Sequence, residues 1–153
     1  MKNIGIDLSF KELTQYLNEP IVMTDRKGCF AWANDSFHRL CGYSRDEMIG
    51  QKPGKMLQGE QSDLETVCAM RGAVEQGVGI QVEMVNYHKN GTPYWVSISI
   101  TPIKGDRDQL EGFLAVEQNT TLQHEQVASL EQHVVQVYNA LLLQAEGHET
   151  LVQ

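Results

Sequence analysis

Two alternating runs meet at Lys89-Asn90-Gly91, and that junction limits the fold more than any other feature of the chain. In residues 79–88, Ile80, Val82 and Met84 alternate with polar neighbours; in residues 92–103, Tyr94, Val96, Ile98 and Ile100 do the same. A period of two means that each strand has one buried face. Asn-Gly between such runs signals a tight hairpin, because both residues tolerate positive φ. A lone hairpin is marginal in water, so other elements must cover its apolar face. A turn at Gly105-Asp106-Arg107-Asp108 leads to a further strand, about 110–118, and an earlier hairpin is predicted from residues 21–25 and 29–33 around Arg26-Lys27-Gly28. The result is five strands with helices inserted between the second and third.

Three S-x-x-E patterns mark helix starts, since a Ser hydroxyl and a Glu carboxylate three residues on satisfy opposite orphan backbone donors. Ser9 to Glu12 opens a helix with an apolar stripe of Leu13, Tyr16 and Leu17, ending near Asn18 before Pro20. Ser44 to Glu47 opens a short one stopped by Gly50, and Ser62 to Glu65 opens one ending near Gly77 with Leu64, Val67, Cys68 and Val74 on its apolar face. Between them, Asn34 or Asp35 caps a helix to about Leu40, and residues 51–61, with Pro53, Gly54 and Gly59, read as a loop. From Thr120 onward, Val127, Leu130, Val134, Val137 and Leu141 recur at spacings of three and four, the a and d positions of two heptads. That helix either folds back on its own sheet or pairs with a second copy. The organisation expected is 1–18 as an N-terminal helix, 19–121 as the domain, and 122–153 as a dimerising helix and tail.

Composition removes several function classes. At 153 residues the chain is one domain long, and a net charge of −8 has the wrong sign for nucleic acid or an anionic membrane surface. Cys29, Cys41 and Cys68 form no C-x-x-C pair, and residues 1–8 carry no secretory pattern, which predicts a reducing, cytoplasmic setting. No nucleophile elbow, H-E-x-x-H, Walker loop or dinucleotide fingerprint occurs, so no enzymatic activity is expected of this chain by itself. His38, His88, His124, His133 and His148 are scattered and form no multidentate metal set.

Polar residues that fall in apolar phase are more telling, because burying one without a partner costs about 1–3 kcal/mol. Arg71 keeps helical spacing with Leu64, Val67, Cys68 and Val74; Asn86 is in phase with Ile80, Val82 and Met84; Glu117 is in phase with Phe113 and Ala115. They either satisfy one another, as in an Arg71 to Glu117 ion pair, or line a pocket for a planar, polar ligand. In the second case desolvation raises the pKa of Glu117, which can then change protonation with the state of the ligand.

The order of elements, with Trp32-Ala33-Asn34-Asp35-Ser36-Phe37, Cys41-Gly42-Tyr43-Ser44, Met56-Leu57-Gln58-Gly59 and Asn86 to Trp95, resembles the PAS sensory family over roughly residues 12–121. The resemblance implies an α+β fold, in which a five-stranded antiparallel sheet carries helices on one face around a ligand pocket and a terminal helix passes the signal on. It is strongest to flavin-binding branches, both the light-oxygen-voltage type and the FAD-containing redox and aerotaxis type. Pro53-Gly54-Lys55-Met56-Leu57-Gln58-Gly59 stands where the light-sensing motif N-C-R-F-L-Q-G does, so Gly54 replaces the photoreactive cysteine and thiol photochemistry is not expected. By the same resemblance Gln58, Arg71 and Asn86 contact the flavin, Asn34 helps hold it as in the FAD branch, and Trp95 borders it. Val96 and Glu117 depart from an Asn and a Gln of the light-sensing pattern.

The expected function is a PAS sensor with FMN or FAD, responding to redox state, oxygen or light, relaying through a homodimer to a downstream effector such as a histidine kinase, diguanylate cyclase or chemoreceptor. The alternatives are a cofactor-free dimerisation module and a haem-binding gas sensor.

Overall fold

The computed structural model describes residues 9–149, which divide into one unit through Thr120 and a second from Thr121. The reading of residues 1–8 as free of a leader, and any role for the His148 side chain, lie outside what is described. The first unit runs α1 (Phe10–Gln15), β1 (Ile21–Asp25), β2 (Phe30–Ala33), α2 (Asp35–Cys41), α3 (Arg45–Met48), α4 (Pro53–Leu57), α5 (Leu64–Gln76), β3 (Ile80–Tyr87), β4 (Pro93–Lys104) and β5 (Leu110–Asn119). The strands form one antiparallel sheet in the order β2-β1-β5-β4-β3. Chain order and sheet order differ because β5 inserts between the two hairpins, pairing Val22 with Ala115 on one side and Ile98 with Glu117 on the other.

The helices between β2 and β3 cover one face of this sheet. The core holds Val22, Phe30, Phe37, Met48, Leu57, Met84, Val96 and Ile98, each of them buried. Side chains of the strands alternate between that face and the other, so Met84 and Asn86 on β3 and Ala115 and Glu117 on β5 point the same way.

Two capping boxes form as the sequence predicts, at Ser9 with Glu12 and at Ser44 with Glu47. The third does not. Asp63 caps α5 instead, accepting from the Thr66 N–H at 2.8 Å, while buried Ser62 donates to the Val85 carbonyl at 2.7 Å and accepts from the Gly59 N–H at 3.0 Å. The expected loop at 51–61 contains α4, with Pro53 at its first position, where a missing N–H costs nothing. In the second hairpin only Gly91 takes positive φ, at 89°, and His88 N–H bonds to Thr92 O, so the loop has three residues rather than a two-residue turn. Gly59 is required for a different reason: a Cβ there would lie 2.5 Å from the Tyr87 ring.

The apolar stripes of α1 and α5 are displaced from their expected positions. Leu13, Tyr16 and Leu17 are exposed, and Thr14 is buried. On α5, Leu64 and Cys68 face outward, and the inward face is Val67, Met70, Ala73 and Val74. In each case the short helix turns toward whichever side chains complete local hydrogen bonds or fit beneath the sheet, and propensity for burial alone does not choose between neighbouring registers.

Asn34 fixes the start of this unit. Its Oδ1 accepts from the N–H groups of Ile21 at 2.9 Å and Phe37 at 3.0 Å, and its Nδ2 donates to the carbonyls of Thr14 at 3.1 Å and Glu19 at 2.9 Å. One buried amide thereby caps α2, anchors β1 and holds α1. Asn34→Ala leaves these groups unpaired, and urea unfolding should show a loss of about 2–4 kcal/mol.

The second unit is α6 (Thr121–Glu149), 29 residues long. Val127, Leu130, Val134, Val137 and Leu141 are each more than half exposed. Among the described residues, no helix is long and apolar enough to cross a membrane.

Candidate functional site

A cavity of about 580 Å3 lies between the sheet and helices α4 and α5. Its walls include Val22, Phe30, Leu57, Met84, Ile98 and Phe113. Into this apolar space the strands deliver two polar side chains. Asn86, 3% exposed, and Glu117, 4% exposed, both line it, and neither Asn86 Oδ1 nor Glu117 Oε2 meets a hydrogen-bond partner. Each is aimed there by strand periodicity, Asn86 as the inward neighbour of Met84 and Glu117 of Ala115.

Burial pushes the Glu117 carboxyl up to about 8, so it is largely neutral at pH 7. Burial, then the Glu117 and Cys41 acids nearby, push the Tyr94 phenol far up, with the Asn86 amide acting the other way. Tyr94 is buried and its hydroxyl too has no partner. The two buried polar side chains that line the cavity, Asn86 and Glu117, are therefore largely uncharged at pH 7, and Tyr94 is not among the lining residues.

Of the remaining expected residues, Gln58 is half-buried and lines the cavity together with Gly54, where an added Cβ would stand 2.9 Å from Gln58 Oε1. Arg71 also lines it, but from an exposed position, because the inward face of α5 is one residue away at Met70. The Arg71 to Glu117 ion pair does not form; the ion pairs among the described residues are Lys89 with Glu47 and Lys104 with Asp108 at 3.3 Å. Two expectations are corrected. Asn34 does not reach the cavity, and its amide is committed to four backbone groups. Trp95 lies between inward-facing Tyr94 and Val96, so it projects from the opposite face of the sheet, and it is not among the lining residues.

Sequence reasoning missed Lys27 and Lys52 at the same opening, which approach from loops that are distant in the chain and show no periodic signal. A second depression, of about 680 Å3, shares Glu117 with the first and is otherwise lined mostly by polar residues such as Asn18, Ser36, Gln81 and Ser97.

The sheet order and the cavity beneath α4 and α5 are those of a ligand-accommodating sensory fold, and the chain belongs to the PAS domain family: the family model described as PAS domain matches residues 18–121. The PAS domain of the fruit-fly ELK potassium channel superposes with a TM-score of 0.67 at 22% identity, over 71% of this chain and 92% of that one. A blue-light-activated histidine kinase of Brucella anthropi is 33% identical over 100 residues, which are 65% of this chain and 20% of that protein. The protein TWIN LOV 1 of Arabidopsis thaliana is 33% identical over 87 residues, 56% of this chain and 22% of that one. A blue-light photoreceptor of Listeria innocua is 29% identical over 120 residues, 76% of this chain and 47% of that one. The chain thus spans less than half the length of these curated relatives.

The carboxyl of Glu117 also makes stability depend on pH. Its folded pKa of about 8 lies above the ordinary carboxylate value, so between roughly pH 4.5 and 8 the folded chain binds a proton that the unfolded chain has lost. The stabilisation is full below that window and is lost as pH rises through 8. Glu117→Gln removes this term: urea midpoints of wild type and variant should diverge in favour of the variant from pH 6 to 9, by about 2–4 kcal/mol.

Proposed function

We propose that this chain is a flavin-binding PAS sensor that responds to light or redox state. One observation carries the reading: Asn86 Oδ1 and Glu117 Oε2 face one apolar cavity without partners, and a ring system with polar edges supplies what both lack. The blue-light names of the relatives in Brucella and Listeria support the same class. A cavity of about 580 Å3 is within the usual range for a small-molecule site. No histidine is among its lining residues, which speaks against the haem alternative.

A bound flavin supplies visible absorption and reversible electron uptake. Asn86 and Gln58 would hold the polar edges of the ring, and Arg71 with Lys55 would meet its polar tail at the mouth. Glu117 would donate a hydrogen bond as a neutral acid and only accept as a carboxylate, so its bonding would follow the protonation of its surroundings. Glu117 N–H already donates to Pro20 O at 2.9 Å, and three residues later Thr120 N–H donates to Trp95 O at 2.9 Å. A shift at Glu117 thus acts along β5 on the residue from which α6 departs. The exposed heptad positions of α6 then pair with a second copy, which carries the signal to an effector.

Incubation with flavin and removal of excess should leave the visible band of bound oxidised flavin, and Asn86→Leu should weaken binding about tenfold or more. A colourless protein that takes up neither FMN nor FAD sinks this reading. For the dimer, sedimentation should show concentration-dependent association that Leu130→Glu with Val137→Glu abolishes.

A further inference from the structure

Helix α6 changes character along its length. In the heptad frame Val127, Val134 and Leu141 are at a, and Leu130 and Val137 are at d. A β-branched residue at a with Leu at d, as in residues 127–134, is the order of a two-stranded seam. At Val137 and Leu141 the order is inverted, and Leu at a with a β-branched residue at d favours more than two strands.

A second apolar set occurs in the same half. Val135 and Leu142 fall at b and Tyr138 at e, and they are 57%, 46% and 61% exposed. At 3.6 residues per turn, the uninterrupted apolar arc from Val137 through Leu141, Val134, Tyr138 and Leu142 to Val135 spans roughly 160°. A two-stranded seam uses a and d alone, whereas helices of a bundle add e or g. Nearer the start of α6 the flank that Val135 and Leu142 occupy carries Glu131 and His124, so the wide face belongs to residues 134–143. The a and d seam is also small for a pair: its Val and Leu side chains bury about 300–600 Å2 of apolar surface per chain, against roughly 800 Å2 per partner in a standard interface.

Charge selects what covers the remainder. Residues 121–149 contain no Lys or Arg, and their acids, Glu125, Glu131, Glu146 and Glu149, leave residues 132–145 without Asp or Glu. Helices that lie on lipid are rich in Lys and Arg, which this one lacks. The same face on another copy, equally free of acids, meets it without the repulsion expected between chains of net charge −8.

We infer that α6 assembles four copies of this chain: residues 127–134 pair two helices, and the wide face at 134–143 seats one pair on another as a four-helix bundle. The inference rests on the proposed reading that α6 pairs with a second copy, and goes beyond it in the number of chains and in the residues that set that number. Tyr138, at the margin of the face, keeps its hydroxyl in water while its ring packs inward.

Sedimentation equilibrium of the full chain should resolve two-chain and four-chain species, with four dominating at the highest concentrations. Val135→Gln with Leu142→Gln should remove the four-chain species and leave two, with unchanged helical ellipticity, since Gln is a good helix former. Val137→Leu with Leu141→Val exchanges two residues at constant composition and restores the two-stranded order; it should raise the concentration needed for four chains about tenfold or more. If the Gln variant loses helix, the exchange variant decides alone. A wild type that stops at two chains overturns the inference and leaves the pairing intact; single chains or trimers overturn both. A four-chain species that persists in the helical Gln variant, or that the exchange leaves unchanged, overturns the inference as well, because its contacts then lie outside this face.

Discussion

The placement of β5 between β1 and β4 is the constraint on which the rest of the first unit depends. Either hairpin alone has an apolar face and nothing to close it. By pairing with both, β5 joins residues 21–33 to residues 80–104 in one sheet and sets the width beneath which α4 and α5 must fit. The pairing also decides where Glu117 goes: opposite Ile98 and in line with Ala115, it is buried, its Oε2 has no hydrogen-bond partner, and it is in neither ion pair of the described residues. A one-residue slip of β5 would turn Glu117 outward and Val116 and Gln118 inward, so the register that builds the sheet is the one that builds the site.

The strands were legible from sequence because their signal is local. Alternation in 79–88 and 92–103, and the turn residues between them, depend on neighbours only, and β3 and β4 start and end within a residue or two of the expected bounds. Capping boxes at Ser9 and Ser44 were readable for the same reason. Where prediction failed, a tertiary partner outbid the local pattern. Ser62 has the right neighbours for a cap, but Val85 O lies above it and takes its hydroxyl. Leu64 and Cys68 have helical spacing with Val67, yet α5 turns about one residue around its axis so that Met70 and Ala73 meet the sheet, and Arg71 ends at the rim.

The site was half legible on similar grounds. Asn86 and Glu117 sit in strands, where phase alone tells inside from outside, and both line the cavity. Asn34 was read as a cap from the residue and as a ligand contact from the resemblance, and only the positions of Thr14, Glu19 and Ile21 show how completely its amide is used. Trp95 looked like a pocket residue through the segment it belongs to, although its parity against Tyr94 already placed it on the other face. Arg71 was legible from its helical phase, whereas Lys27 and Lys52 were not, because they reach the opening from a turn and from the start of a short helix with no periodic signal.

The α4 to α5 side of the cavity is tied down at several points. Tyr43 Oη donates to Met56 O at 3.2 Å, Gln61 N–H donates to Tyr87 Oη at 2.9 Å, and the Tyr87 ring fills the space that Gly59 leaves open. The β1–β2 turn on the other side is tied down as well: Asp25 Oδ1 accepts from the N–H groups of Lys27 and Cys29, each at 2.9 Å, Lys52 Nζ donates to the Lys27 carbonyl, and Gly28 packs on Val74. Both sides of the cavity are thus shaped before anything enters it, and a site that needs little ordering on binding loses little affinity to entropy.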